Sequence, residues 1–276
     1  MKKIYIHTDM EGVSGVDTMD MVASGNDYLR AVHRGETATP GPEYRRCIKR
    51  LMADLNAAID GAFLGGAEHV MVLDSHGGGG GNFDFDLLDK RAEVDARPNG
   101  KWWASIDESY HGTFFIGAHA MAGTANGFLD HTMSSESVFD HYINGRRFGE
   151  LGLWAMVCSH FNVPMIMVSG DEAAVFEAVQ FFGDIETAVV KRGITRNRAR
   201  LLPEDQAVEA IRQAAKRAVE KTEKIQPIKP FLPMEVKTVY TRSDHADQRA
   251  HDPKYERLDA RTVRMIADNY LDCWMM

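Results

Sequence analysis

The spacing of hydrophobic positions in the N-terminal part of the chain predicts a strand, a long helix and a second strand. Residues 3–8 alternate and are rich in β-forming side chains. Apolar side chains then recur every three or four positions between Tyr44 and Phe63, after Pro42 and before Gly65-Gly66. Residues 69–73 are a second short apolar run. Together these elements predict a β-α-β unit with a right-handed crossover.

The rest of the chain continues to alternate between strand-like and helix-like segments. We predict strands over residues 113–116, 164–168, 185–190 and 235–240. We predict helices over residues 149–161, 171–182, 204–223 and 259–274. A hairpin is predicted over residues 138–148, with its turn at Asn144-Gly145. This order is typical of an α/β protein with a mostly parallel open sheet and helices on both faces, here with an added β-hairpin and a smaller C-terminal part.

A proline-rich stretch at residues 227–233 is the best candidate for a boundary between parts of the chain. We assign residues 1–200 to the main α/β domain. Residues 201–276 are assigned to a C-terminal extension of helix and strand, which can also belong to the same domain.

Charge and composition narrow the class of protein. The net charge of −8 argues against a nucleic-acid partner, and the most basic tract, residues 191–200, is interpreted as a solvated surface segment. No apolar run approaches the ~20 residues that span a bilayer, and the N-terminus lacks a signal-peptide core. Three widely spaced cysteines fit reduced, buried thiols. We therefore expect a cytoplasmic protein without a membrane partner.

Acidic and imidazole side chains follow the predicted strands. Open α/β sheets bind ligands beyond the carboxyl ends of their strands, so these side chains should meet at one edge. The candidates are Asp9 and Glu11 after the first strand, Asp74, Ser75 and His76 after the second, His119 after the third, His131 before the hairpin and Glu150 after it.

This mixture of ligand types suits zinc, or another divalent metal such as manganese. One catalytic zinc usually takes three protein ligands. The five ligands Asp9, Glu11, His76, His119 and Glu150 therefore predict two metals, with Asp9 as the bridge between them.

Each of these residues also has an ordinary structural interpretation. An aspartate after a strand is often a turn or helix cap, and a glutamate at a helix N-terminus can simply favour the helix dipole. It is their placement at corresponding strand ends that favours a metal site. Seven other histidines lack this placement and are assigned structural roles: His33, His69, His111, His141, His160, His245 and His251.

The glycine run 77–81 does not fit a known catalytic or phosphate-binding loop. An esterase-type oxyanion loop would need a downstream G-x-S-x-G elbow, and the chain has none. A phosphate-binding loop needs Ser or Thr after its Gly-Lys pair, but Trp102 follows Gly100-Lys101. The dinucleotide-binding motif G-x-G-x-x-G does not fit either, because no glycine stands at its last position after the run. The run therefore predicts only a flexible loop beside the site.

Several short motifs follow one another along the chain. The most specific is Thr8-Asp9-Met10-Glu11-Gly12-Val13-Ser14-Gly15. Weaker ones come after it: Asp74-Ser75-His76, Gly117-Ala118-His119-Ala120, His131-Thr132-Met133, Ile143-Asn144-Gly145-Arg146 with Gly149-Glu150-Leu151-Gly152-Leu153, and Val163-Pro164 to Ser169-Gly170-Asp171. In this order the motifs resemble those of the zinc-dependent D-aminopeptidases of the DppA type, and the resemblance covers about residues 3–190.

The resemblance implies a two-zinc site in which Asp9 bridges and Glu11, His76, His119 and Glu150 complete the ligand set. It implies that His131 is the catalytic histidine. It also implies removal of an N-terminal residue, typically a D-amino acid, from short peptides, and a ring-like homo-oligomer that encloses its active sites.

The sequence departs from the family pattern at two positions near the site. His7 stands where a small hydroxyl residue is expected, and Trp154 stands where an asparagine is expected. The glycine run 77–81 is also longer than usual for the family. These departures leave two alternatives open: a two-metal hydrolase of another substrate class, such as a cyclic amide or a phosphoester, and a non-enzymatic protein that retains the fold.

Overall fold

The computed structural model describes residues 1–96, 103 and 105–274. The strands are β1 Lys3–Thr8, β2 His69–Asp74, β3 Glu93–Val94, β4 Gly112–Ala118, β5 Val138–Ile143, β6 Arg146–Arg147, β7 Met165–Asp171, β8 Glu186–Thr195, β9 Arg198–Leu201, β10 Met234–Tyr240, β11 Glu256–Arg257 and β12 Thr262–Ala267. The helices are α1 Met19–Ala23, α2 Asn26–His33, α3 Pro42–Leu64, α4 Glu150–His160, α5 Glu172–Phe182, α6 Glu204–Lys221 and α7 Ser243–Arg249.

Seven strands form the main sheet, in the order β3-β2-β1-β4-β7-β8-β9. Every neighbouring pair is parallel except β8 and β9, which are antiparallel. The first strand of the chain therefore lies near the centre of the sheet, between β2 and β4. This arrangement confirms the predicted α/β fold class and its mostly parallel sheet.

Helices cover both faces of the main sheet, as predicted. Alternate side chains of β1 divide between two cores: Ile4 and Ile6 pack with α3 and α6, whereas Tyr5 packs with Trp154 of α4 and Ala174 of α5. Strands β4 and β7 are buried along their whole length, which is typical of parallel strands covered on both faces.

A second, antiparallel sheet of order β11-β12-β10-β5-β6 contains the predicted hairpin. Asn144 and Gly145 turn between β5 and β6 with φ angles of +50° and +76°, the left-handed conformation that a two-residue hairpin loop requires. The hairpin is thus paired with C-terminal strand β10 rather than standing alone.

The predicted helix over residues 259–274 is wrong. Residues 262–267 form β12, which pairs with β10 and β11, and only a short 3-10 turn, Tyr270–Cys273, follows. The β-branched residues Thr262, Val263 and Ile266 favour this strand, and Val263, Met265 and Ala267 alternate into the core.

The predicted surface segment 191–200 is also wrong at its first residue. Strand β8 continues to Thr195 and turns into β9, and the Lys191 side chain is fully buried.

All three cysteines are buried and free, as expected. The division of the chain at residue 200 stays a prediction; helix α6 packs against α3 on the main sheet. No helix of the described residues combines the length and the apolar character needed to cross a membrane.

Candidate metal centre

Three adjacent strands and one helix bring the predicted site residues together. Asp9 and Glu11 follow β1, His76 follows β2 and His119 follows β4, so all four leave the carboxyl edge of the sheet. The remaining predicted ligand, Glu150, is the first residue of α4.

Asp9 lies between two histidines, and each of its carboxylate oxygens faces a different one. Oδ1 is 3.0 Å from Nδ1 of His76, and Oδ2 is 3.2 Å from Nε2 of His119. Each histidine also meets a second carboxylate: Glu11 Oε2 lies 3.1 Å from His76 Nδ1, and Glu150 Oε1 lies 3.4 Å from His119 Nε2. The ligand set therefore consists of two groups that share Asp9.

His131 joins the group around Glu150. Its ring stacks on that of His119 with centroids 3.9 Å apart, and its Nε2 lies 3.4 Å from Glu150 Oε1. Its Nδ1 lies 2.8 Å from the carbonyl oxygen of Leu129, to which the ring N–H donates. This bond leaves a lone pair on Nε2 of the neutral ring, directed toward the site.

The hydrogen bonds of His119 leave one ring nitrogen available as a ligand for a cation. Its Nδ1–H donates to the carbonyl oxygen of Ala120 at 3.1 Å, so Nε2 of the neutral ring is an acceptor. Within the described residues that buried Nε2 makes no well-directed hydrogen bond, although the carboxylates of Asp9 and Glu150 face it. A lone pair and two carboxylates that converge on one point are the donor set of a divalent metal.

The electrostatics of the site favour positive charge. Burial lowers the pKa of His76, but the charge of Glu11 and contact with Asp9 outweigh it and hold that pKa well above its ordinary value. The pKa of His119 is raised in the same way, against burial, by the charge of Glu150 and by Asp9. Burial raises the pKa of the Glu150 carboxyl, but the charge of His119 outweighs this effect and lowers the pKa to about 2. This acidic cluster therefore stabilises cations within it.

Close backbone contact with β4 explains the glycine of the N-terminal motif. The amide of Gly12 donates to the carbonyl oxygen of Gly117 at 2.8 Å. A Cβ at Gly12 would lie 2.0 Å from the carbonyl oxygen of Ala118, so no other residue fits there without movement of the backbone. The contact holds Glu11, one residue earlier, beside His119.

A cavity of about 560 Å³ opens in front of these residues. One wall of it comes from α1 and α2, which contribute Met19, Val22, Leu29 and His33. The sequence did not predict this wall, because helices of five and eight residues are too short to show a clear hydrophobic period. His33, to which a structural role was assigned, lines the cavity.

The glycine run 77–81 supports the same wall. All five glycines have positive φ, and Gly77 and Gly78 line the cavity. The run is fastened to α2, since the Tyr28 hydroxyl donates to the Gly81 carbonyl at 2.9 Å and His33 Nε2 lies 3.1 Å from that of Gly79. The structure thus places the loop beside the site, as predicted, and shows it anchored to α2.

His7 and Trp154, the two departures from the family pattern, pack on each other behind the ligands. The His7 ring lies between Phe115 and Trp154, with centroids 4.4 and 4.5 Å away, and burial lowers its pKa to about 3. Its Nδ1 is 3.1 Å from the Ser75 hydroxyl. Trp154 is fully buried and donates from Nε1 to the Thr113 hydroxyl at 3.1 Å. His7 reaches the cavity, whereas Trp154 fills the core beneath it.

Comparisons with known proteins agree with this geometry. A family model described as D-aminopeptidase (Peptidase_M55) matches residues 1–276. A D-aminopeptidase of Bacillus subtilis (strain 168) is 34% identical over 203 residues, which is 72% of this chain and 67% of that protein. A solved structure, described as the Zn-dependent D-aminopeptidase DppA from Bacillus subtilis, a self-compartmentalizing protease, matches with a TM-score of 0.84 and 28% identity. The match covers 98% of this chain and 93% of that one.

Proposed function

The chain belongs to the D-aminopeptidase family, and from this premise we propose that it is a two-zinc enzyme that removes N-terminal D-amino acids from short peptides. The observation that carries the proposal is the position of Asp9, whose two oxygens face two different histidines. A carboxylate placed in this way can bridge two metals.

The proposed first metal is held by Asp9, Glu11 and His76, and the second by Asp9, His119 and Glu150. The imidazole and carboxylate donors suit zinc, which the solved relative uses by its description, and other divalent metals such as manganese share these donors. When bound, two such ions polarise the scissile carbonyl and activate a water.

His131 is the proposed catalytic residue. It lines the cavity, and its Nε2 lies beside Glu150 at the edge of the ligand set. The Leu129 carbonyl holds Nδ1–H, so only Nε2 faces a substrate. Protonated at Nε2, it donates a hydrogen bond to the oxyanion that develops on the scissile carbonyl, and the charge of Glu150 offsets the positive ring. The alternative role, in which the neutral ring attacks as a nucleophile, uses the same atom.

The substrate is a short peptide that fits the cavity beside the ligands. We also propose a ring-like homo-oligomer in the cytoplasm. The support is the solved relative, described as self-compartmentalizing, together with exposed apolar side chains such as Phe176 and Phe231, which are 65% and 91% exposed in the single chain.

Metal analysis and an activity panel test the proposed function. The purified protein should contain two zinc ions per chain and should hydrolyse D-Ala peptides faster than their L-Ala counterparts. Hydantoins and phosphodiesters complete the panel. Selective turnover of either of those classes would show a two-metal hydrolase of different specificity. Absence of both metal and turnover would indicate a non-enzymatic protein.

A further inference from the structure

Lys191 is a buried basic side chain next to the proposed metal centre and is not one of its proposed ligands. It lies on β8 with its side chain 0% exposed. Its ammonium donates to the main-chain carbonyl oxygens of Glu11 at 2.6 Å and Val16 at 2.7 Å. The ring of Phe128 lies 4.6 Å from the same nitrogen.

These contacts replace water around a charge that is expensive to bury. An ammonium has three N–H donors, of which two reach carbonyls, and the aromatic face offers a further favourable contact. Burial lowers the pKa of Lys191 to about 7, and the nearby charges of Asp171 and Asp54 act in the opposite direction. An apolar side chain of similar length would avoid the desolvation cost, so packing alone does not explain a lysine here.

The carbonyls that Lys191 binds belong to the segment that carries two ligands. This segment, residues 9–16, is called the ligand loop below. It is also fastened to β4 by the amides of Asp9 and Gly12, and to α3 by Asp54, which accepts from the Ser14 amide at 2.7 Å. Lys191 is the anchor that holds Glu11 itself and joins it to the far end of the ligand loop.

We propose that Lys191 is a positioning residue that keeps the ligand loop in its metal-binding conformation before metal arrives. Its ammonium fixes the main chain at Glu11 and therefore the direction in which the Glu11 carboxylate points. This inference rests on the proposed function, because metal binding by Asp9 and Glu11 is itself proposed.

Hydrogen exchange on the metal-free protein tests whether the ligand loop is ordered in advance. The amides of Gly12 and Ser14 should exchange about as slowly without metal as those of β1. Fast exchange of these amides that slows only when zinc is added would overturn the proposal, because the metal would then order the loop.

Metal titration of variants tests whether Lys191 is responsible. Lys191→Met should keep the fold by circular dichroism, exchange the Gly12 amide at least tenfold faster, and bind one zinc equivalent about 10–100-fold more weakly, as for other residues that orient ligands. Lys221→Met is the matched control, since that exposed lysine pairs with Glu186 at the surface. Lys191→Gln, shorter and uncharged, replaces the Met variant if that one does not fold.

The two proposals fail in different ways. A parent protein that binds no zinc would contradict the proposed function. A parent that binds two zinc ions, with a folded Lys191 variant that binds both with parental affinity, would overturn the role of Lys191 alone.

Discussion

The two oxygens of a single carboxylate, that of Asp9, are the basis of the proposed two-metal centre. Asp9 is 5% exposed and touches His76 with one oxygen and His119 with the other. Of these two histidines, Glu11 forms its ion pair with His76 and Glu150 with His119. A bridge screens two cations from each other, so its removal should affect both metal positions. A terminal ligand should affect one.

Asp9→Ala is therefore expected to lose both metals, and Glu11→Ala mainly one. Plasma emission spectroscopy on dialysed protein measures the metal per chain, with circular dichroism as the control for folding. Equal metal retention in the two variants would argue against the bridge. If the parent and the Glu11→Ala variant both saturate at one metal per chain, the two-metal hypothesis is wrong.

His131→Ala should keep both metals and the fold, because the variant leaves all five proposed ligands unchanged. Its kcat is expected to fall ~10²–10³-fold, the loss typical of one oxyanion donor, or further if the ring is the nucleophile. His131→Asn separates these roles, since an amide donates a hydrogen bond but does not attack. Partial activity in the Asn variant supports the donor. Turnover within a few-fold of the parent in His131→Ala would leave the residue a structural role only.

At the scale of elements, the sequence predicted the helices and strands whose hydrophobic period and end residues can be recognised within the element itself. Helix α3 shows a full amphipathic period over 23 residues, and its N-terminal proline and C-terminal glycines marked its ends. Strand β12 has only six residues, and an alternation this short does not by itself distinguish a strand from part of a helix. Its pairing with β10 decides the conformation.

The candidate site was predictable to a similar extent. Its ligands followed strands that were themselves predicted, and neighbouring parallel strands end at one edge. Lys191 was not predictable, because a lysine in a basic tract is usually solvated. Its burial depends on carbonyl groups of Glu11 and Val16, 180 and 175 residues away in the chain.

A buried histidine in the second sheet makes an element-scale prediction about acid stability. His141 on β5 is 1% exposed, its Nδ1 is 3.1 Å from the Thr238 hydroxyl, and burial lowers its pKa to about 4. An exposed imidazole in the unfolded chain has a pKa of about 6.5. The unfolded state thus binds more protons between these values, so this contribution to stability is lost as pH falls from 6.5 toward 4.

His141→Asn should remove this contribution while keeping a polar partner for Thr238. Urea unfolding with a metal chelator present measures the free energy of unfolding. Between pH 7.5 and 4.5 the parent should lose about 2–3 kcal/mol more of it than the variant. His160→Asn, at the exposed end of α4, is the control and should follow the parent. An equal dependence on pH in the parent and in His141→Asn would contradict the prediction.

At the scale of the whole molecule, the candidate site opens into a cavity of about 560 Å³. A hydrolase with such a site benefits from assembly that restricts access. The exposed aromatic side chains Phe176 and Phe231 provide apolar surface of the kind that interfaces bury.

We therefore expect a large homo-oligomer in solution that cleaves short D-peptides and spares folded proteins. Multi-angle light scattering at micromolar concentration measures its mass. Incubation with a folded protein substrate, compared with the same protein after denaturation, measures access. A monomer of 30.9 kDa by light scattering would contradict the expected assembly.

The sheet order also has a consequence for synthesis on the ribosome. β1, the first strand of this sequence to be made, lies between β2 and β4, which are made later. Lys191, which binds the Glu11 carbonyl, follows Glu11 by 180 residues. At ~5–20 residues per second, translation covers that distance in roughly 10–40 s. Throughout this interval the nascent chain carries the acidic motif without its last anchor. If Lys191 has the positioning role proposed above, we expect high metal affinity only late in translation.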